Sequence, residues 1–377
     1  MIAMRFLILD VVLPHTSPEI SDLRIRETIH LIHTYSSGLG VVDHIVQQRM
    51  HPDSTTYIGS GKVQEVFDMI KKDGIRYVVL NDIVQPGQIF ELKKILQKAY
   101  FEIEVWDRVD LILKIFEKHA RTSEARMQIE LAEMRHMGPR IFGMGLVLSR
   151  QGGGIGAKGL GETNTERMKR HWREEIQATQ DKLKKLNTGR LQRMERRREL
   201  GMKTVAIVGY TNAGKSSLFN ALTGKKNLSK DALFATLDST LGKLKRSTAY
   251  DPINPAPDIL VSDTIGFISN LPPRLIEAFR STLLETIYAD LLIHVIDATD
   301  PEIERKIVVV QDTLKDLEAD GIPQITVLNK IDLPAARTLD EIKGLTAHLD
   351  PLYLSAADGG GVKELRDKVI EQLKIHN

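Results

Sequence analysis

Residues Gly209 to Ser216 read Gly-Tyr-Thr-Asn-Ala-Gly-Lys-Ser, the spacing GxxxxGKS. That octapeptide limits what the chain can fold into more than any other stretch. Its glycines permit a tight turn in which backbone N–H groups point inward and form a concave anion site. The turn works only between a buried strand and the start of a helix, where the helix dipole adds partial positive charge. Both flanks comply. Lys203 to Val208 reads KTVAIV, a β-branched apolar run, and Ser217 to Leu222 reads SLFNAL, suited to the first turns of a helix. A strand–loop–helix unit of this kind belongs to an α/β domain with a mostly parallel sheet.

The loop predicts contacts to a polyphosphate from Gly209, Tyr210, Thr211, Asn212, Ala213, Gly214, Lys215, Ser216 and Ser217. Lys215 is expected to reach the β- and γ-phosphates, and Ser216 to ligate Mg²⁺. Further along, Asp263-Thr264-Ile265-Gly266 follows the strand-like run Ile259 to Ser262. A carboxylate at that strand end can hold Mg²⁺ through a water, and the Gly266 N–H can meet the γ-phosphate. Thr236 is the candidate for a threonine that completes the Mg²⁺ shell, with Thr240 as its rival.

Asn329-Lys330-Ile331-Asp332 follows the run Ile325 to Leu328. Asp332 can accept two hydrogen bonds from the N1–H and exocyclic amine of guanine. Adenine lacks that pattern and would leave the carboxylate unpaired. Lys330 is expected to lie along the base with its alkyl stem. Ser355-Ala356-Ala357, after Leu352-Tyr353-Leu354, resembles the last guanine element, in which a backbone N–H meets the base oxygen; the usual third residue there is Lys. Together the segments predict GTP/GDP with Mg²⁺.

Two residues refine that expectation. Many GTPases place a water-orienting Gln directly after the DxxG glycine. Here the position is Phe267, which cannot orient water by hydrogen bonding. Slow intrinsic turnover and stimulation by a partner are therefore expected. Asn212 stands in the loop where potassium-activated GTPases carry Asn, so K⁺ is a candidate second cation.

The rest of the chain predicts two further parts. The length of 377 residues allows two or three domains, and 42% hydrophobic with 27% charged content is ordinary for a globular protein. Cysteine is absent, which excludes disulfides and thiolate metal sites. No run of eighteen apolar residues exists, so no membrane span is expected, and the chain reads as cytoplasmic. Residues 1–115 alternate strand-like and helix-like segments, a small α/β domain. Tyr77 to Leu80 and Phe101 to Val105 read as strands, Ile89 to Leu96 as a helix, and Gly59-Ser60-Gly61-Lys62 as a helix-entry turn. Residues 116–200 are predicted to form a long antiparallel helical hairpin around a glycine-rich loop at 152–161. Residues 201–377 then form the nucleotide domain, closed by a helix at Val362 to Leu373. Between Arg167 and Lys203 there are 13 Lys+Arg against 5 Asp+Glu, a candidate polyanion face.

Beyond the nucleotide motifs, Leu148-Ser149-Arg150-Gln151-Gly152-Gly153-Gly154-Ile155-Gly156, Tyr57 to Lys62, Asn81-Asp82 and Gln128-Ile129-Glu130-Leu131-Ala132 together resemble the HflX family of ribosome-associated GTPases, in the Obg-HflX class. Asp263 to Ile268 and Glu277-Ala278-Phe279 fit as well. The chain departs from the family's usual GPGETQLE at Gly159-Leu160-Gly161-Glu162-Thr163-Asn164-Thr165-Glu166, where Leu160 replaces a φ-restraining proline. The resemblance implies a factor that binds the large ribosomal subunit, its RNA and its protein, and splits or rescues stalled ribosomes under stress; the sequence itself demands no more than a monomer, and no DNA partner is expected. Two alternatives stay open: a GTP-dependent RNA-binding factor, and a nucleotide switch with a non-ribosomal protein partner.

Overall fold

In the computed structural model, which describes residues 4–151, 160–225, 240–245, 258–268, 275, 279, 283–334 and 338–375, the β-branched runs are strands and the amphipathic stretches are helices. The chain divides into two compact units, Met1–Lys118 with Arg126–Leu183, and His119–Ala125 with Lys184–Asn377. Among the described residues no helix is long and apolar enough to cross a membrane.

The first unit is built on a parallel sheet. Strand β1 (Met4–Val12) pairs with β2 (Gly40–Gln48) on one side and β3 (Tyr77–Leu80) on the other, and β3 pairs with β4 (Glu104–Asp107). Phe6, Leu7, Ile8 and Leu9 are all fully buried, as a parallel strand covered on both faces requires. Helices α1 (Pro18–Ser36), α2 (Ser60–Asp73) and α3 (Pro86–Leu96) provide the crossovers. Ser17 caps α1 by accepting from the Ile20 N–H, and Pro18 opens the helix. Gly59 is the N-cap of α2, so the Gly59 to Lys62 segment is the helix entry expected from sequence.

One boundary differs from expectation. β4 starts at Glu104 rather than Phe101, because Phe101 is 81% exposed and only Ile103 onward is drawn into the core. The helical stretch after Asp107 is two helices, α4 (Arg108–His119) and α5 (Ser123–Gln151). Helix α6 (Leu160–Glu199) follows and begins at the leucine that stands for the family's proline. The loop at 152–159 lies outside the described residues. α5 and α6 meet through the Trp172 indole N–H, which donates to Met134 O at 2.9 Å, and through Arg190 and Glu124 at 3.2 Å. Partner numbers fall along α5 as they rise along α6, the pattern of an antiparallel hairpin. Along α6, Leu183 is buried, whereas Leu186 and Leu191 are exposed.

The second unit carries a six-stranded sheet in the order β10-β9-β8-β5-β7-β6. Its strands are β5 (Lys203–Gly209), β6 (Thr240–Lys243), β7 (Ile259–Asp263), β8 (Leu291–Asp297), β9 (Gln324–Asn329) and β10 (Leu352–Tyr353). All neighbours are parallel except the edge pair β6 and β7. Helices α7 (Lys215–Thr223), α8 (Leu284–Ile287), α9 (Ile303–Asp316), α10 (Leu339–Thr346) and α11 (Val362–Ile375) accompany it. Phe219 and Leu222 of α7 and Leu365 and Val369 of α11 pack with Val205, Val261, Ile293 and Val327 of the sheet. This core fixes the C-terminal ends of β5, β7, β8 and β9, the edge where ligands bind in parallel α/β sheets.

One polar contact supports the first unit. Arg24 donates from Nε and Nη2 to the two oxygens of Asp10, at 3.1 and 2.8 Å, and the Asp10 side chain is fully buried. That carboxylate holds the Arg24 guanidinium above its ordinary pKa. Arg24→Ala should therefore destabilise the first unit by about 3 kcal/mol, because it strands a buried charge. Both tryptophans, Trp106 and Trp172, lie in that unit. Urea unfolding followed by their fluorescence reads the effect, and an unchanged midpoint would remove the ion pair from the stability argument.

Candidate nucleotide-binding site

The loop that leaves β5 is held before it turns. Thr211 N donates to Phe267 O at 2.8 Å and Phe267 N donates to Gly209 O at 3.1 Å, so the loop and the segment after β7 continue the sheet as a short ladder. The loop then closes on Gly214, φ +90, which serves as N-cap of α7. At that φ a side chain would be strained, and a Cβ there would run into the Asn329 amide.

Lys215 and Ser216 open α7. The Lys215 side chain turns back into the loop, where Nζ donates to Tyr210 O at 2.7 Å and Gly209 O at 3.1 Å. Burial pushes its pKa down to about 8, against the pull of Asp263. Asp263, the last residue of β7, is fully buried, and neither carboxylate oxygen has a hydrogen-bond partner among the described residues. Burial raises its pKa to about 6, while the neighbouring Ser216 hydroxyl and the Lys215 ammonium lower it. An orphaned buried carboxylate beside a hydroxyl is the hard oxygen donor set that a divalent cation takes. Asp263 and Ser216 therefore fit Mg²⁺ on this observation.

Gly266 lies against the loop: a Cβ there would stand 2.8 Å from Lys215 Nζ and 2.9 Å from Thr211 Cα, so only glycine lets the two segments approach. Thr264 is buried with its hydroxyl donating to Ile207 O at 2.6 Å, and Ile265 is buried too, which makes both structural supports of the turn. The Phe267 ring is 2% exposed and packs inward. Thr236 lies outside the described residues. Its rival Thr240 begins β6 and is the register partner of Asp263.

The base-reading segments converge on the same edge. Asn329 Nδ2 donates to Ala213 O at 2.9 Å, and its Oδ1 accepts from Ala356 N at 2.9 Å. One side chain thus ties the phosphate loop to the Ser355-Ala356-Ala357 turn. Ser355 is buried and Ala357 exposed. Lys330 adopts φ +68, which sets the side chains of Asn329 and Lys330 apart. Asp332 is exposed at the far end of the segment, and Asn212, φ +63, is exposed at the crest of the loop. The Lys330 ammonium pairs with Asp297 at 2.7 Å. Sequence reasoning missed Asp297; its one signal is a carboxylate at the end of a strand followed by Ala-Thr-Asp. It also missed His294 of β8, which lines a small cavity with Tyr210 and Thr211 and whose pKa burial pushes down to about 4.

A strand–loop–helix anion cradle, a buried strand-end carboxylate and an Asn-Lys-x-Asp segment on one sheet edge define a P-loop protein of the guanine-nucleotide class. The comparisons agree. Residues 204–330 match the family described as 50S ribosome-binding GTPase, residues 119–197 the GTP-binding GTPase middle region, and residues 23–117 the GTP-binding GTPase N-terminal domain. GTPase HflX of Caldanaerobacter subterraneus subsp. tengcongensis is 40% identical over 342 residues, 90% of this chain and 74% of that one. GTPase HflX of Escherichia coli is 36% identical over 343 residues, 90% and 76% of the two chains. A GTP-binding protein of Sulfolobus solfataricus, solved in complex with GDP, is 25% identical, covers 99% of this chain and 100% of its own, and superposes with a TM-score of 0.50. The chain belongs to the HflX family of GTPases.

The buried Asp263 charge has a pH consequence. Its folded pKa of about 6 lies above the ordinary 3.8. The fold therefore favours the protonated carboxyl, and that contribution is complete below pH 3.8 and lost as pH rises through about 6. Asp263→Asn should raise the melting temperature of the nucleotide-free protein by about 6–12 °C above pH 7 and leave it nearly unchanged near pH 4. Equal gains at both pH values would show that desolvation of the charge is not the cause.

Proposed function

We propose that this chain is a GTP-hydrolysing factor that binds the large ribosomal subunit and splits or rescues stalled ribosomes. The observation that carries the reading is the basic end of α6. Arg193, Arg196 and Arg198 are exposed there, and α6 leads through Gly201 and Met202 into β5, the strand that ends in the phosphate loop. Cations on one helix suit RNA phosphates. The family description matched by residues 204–330 supports the same partner.

In this reading the backbone N–H groups from Tyr210 to Ser217 and the Lys215 ammonium bind the GTP phosphates. Ser216, Thr236 and, through a water, Asp263 would hold Mg²⁺, which supplies neutralisation of charge between the β- and γ-phosphates. The Gly266 N–H meets the γ-phosphate. Asp332 selects guanine, Lys330 covers its face, and the turn at Ser355 to Ala357 meets the base oxygen. Phe267, buried and without a hydrogen-bonding group, leaves the attacking water to be oriented by a group from elsewhere. Turnover is therefore slow until the ribosome is bound. GTP favours the bound state and GDP favours release. Asn212 places an amide oxygen beside the phosphates for K⁺.

The test is GTP turnover of the full chain alone, with large subunits and with intact ribosomes, in K⁺ and in Na⁺ buffers. Large subunits should stimulate turnover at least about tenfold, a barrier change of about 1.4 kcal/mol, with more activity in K⁺. The triple variant Arg193→Ala, Arg196→Ala, Arg198→Ala should lose stimulation at physiological salt and keep turnover of the free protein. Arg197 is spared because it pairs with Glu285 at 3.0 Å. Tight GTP binding with no stimulation in either salt would point instead to a switch with another partner.

A further inference from the structure

A lysine stem laid along a purine is useful only when its ammonium is held at the far end, because a free stem samples many rotamers. Lys330 is held. Its Nζ donates to Asp297 Oδ2 at 2.7 Å, with both side chains mostly screened from solvent. Asp297 is itself fixed beforehand. Its Oδ1 accepts from Thr299 N at 2.9 Å and from Thr299 Oγ1 at 2.7 Å, a turn closed by the side chain on its own following backbone.

The carboxylate also stands on rigid ground. Asp297 ends β8 and is the register partner of Asn329, the residue before Lys330. Ala298 N donates to Asn329 O at 2.9 Å and locks the two strand ends together. The left-handed backbone of Lys330 is a conformation that a non-glycine residue keeps only when its surroundings restrain it. The pairing has an electrostatic effect too. Lys330 lies close enough to Lys215 to depress its pKa, and a carboxylate on Lys330 offsets that repulsion beside the phosphate loop.

We propose that Asp297 is a positioning residue of the nucleotide site. It fixes the Lys330 stem over the face of the base and so sets affinity, without reading the base edge. The inference rests on the assignment of Lys330 to the base. It separates two roles within one site. The ring face is common to guanine and hypoxanthine, whereas Asp332 would read the exocyclic amine that hypoxanthine lacks. Loss of Asp297 should therefore weaken GDP and inosine diphosphate by the same factor, and loss of Asp332 should change their ratio.

Calorimetric titration of the full chain with GDP and with inosine diphosphate tests this. Asp297→Ala should weaken both about tenfold, with the ratio of the two affinities unchanged. Lys330→Ala should do the same, and the double variant should be no weaker than Lys330→Ala alone, since the two residues act as one unit. Asp297→Asn keeps an oxygen for Thr299, and with it the turn, but loses the charge. It should weaken both ligands about threefold, and it carries the test should the alanine variant fail to fold. Wild-type affinity in the Asp297 variants beside a weakened Lys330→Ala would overturn the proposal alone, as would additive losses or a shifted ligand ratio. A Lys330→Ala protein that binds both ligands normally would overturn the assignment of Lys330 to the base, and the proposal with it.

Discussion

The site depends on two hydrogen bonds made by one amide. Asn329 gives its Nδ2 to Ala213 O and takes Ala356 N on its Oδ1, each at 2.9 Å. Neither partner belongs to a strand, and both belong to loops whose backbone must face a ligand. A loop aimed at a ligand cannot satisfy all its polar groups internally, so its shape has to be imposed from outside. Asn329 imposes it from the end of a strand buried on both faces, with Val327 and Leu328 fully enclosed behind it. Only a side chain that is donor and acceptor at once can do this. An aspartate there would set a carboxylate against the Ala213 carbonyl.

The charges beside that amide are held under strain of a different kind. Lys215 and Asp263 are both buried, and each is pushed toward its neutral form, to about 8 and about 6 respectively. Buried charges are ordinarily paired directly. Here the Lys215 ammonium is taken up by two loop carbonyls, and the Asp263 carboxylate has no hydrogen-bond partner among the described residues. Two buried opposite charges that do not pair directly form a site whose electrostatics are organised for a polyanion and a cation. The cost is met by the packing of Phe219, Leu222, Val205 and Val261 around it.

What sequence revealed follows the range of the physics. The phosphate loop, its strand and its helix are contiguous, so spacing and periodicity located them, and α11 was found in the same way. Segment ends were less legible. β4 starts at Glu104 because Ile103, not Phe101, finds a core to enter, and no local pattern separates two neighbouring apolar residues whose fates differ. Asp297 was illegible for a similar reason. Its partner Lys330 lies 33 positions away, and only the parallel register of β8 and β9 brings the two together.

The arginine run at the end of α6 shows the same limit most sharply. Arg196, Arg197 and Arg198 are chemically identical, and the sequence treats them as one basic patch. Successive helix residues project about 100° apart, so three in a row cannot share one environment. Arg196 and Arg198 are exposed, while Arg197 is turned inward to Glu285, whose side chain is 3% exposed. The same guanidinium is therefore a surface cation at two positions and a structural ion pair at the third. Removal of Arg197 would leave Glu285 buried and unpaired, a loss of fold rather than of a partner. A charge count over 167–203 overstates the face available to a polyanion by at least this residue, and register along the helix decides which arginines remain.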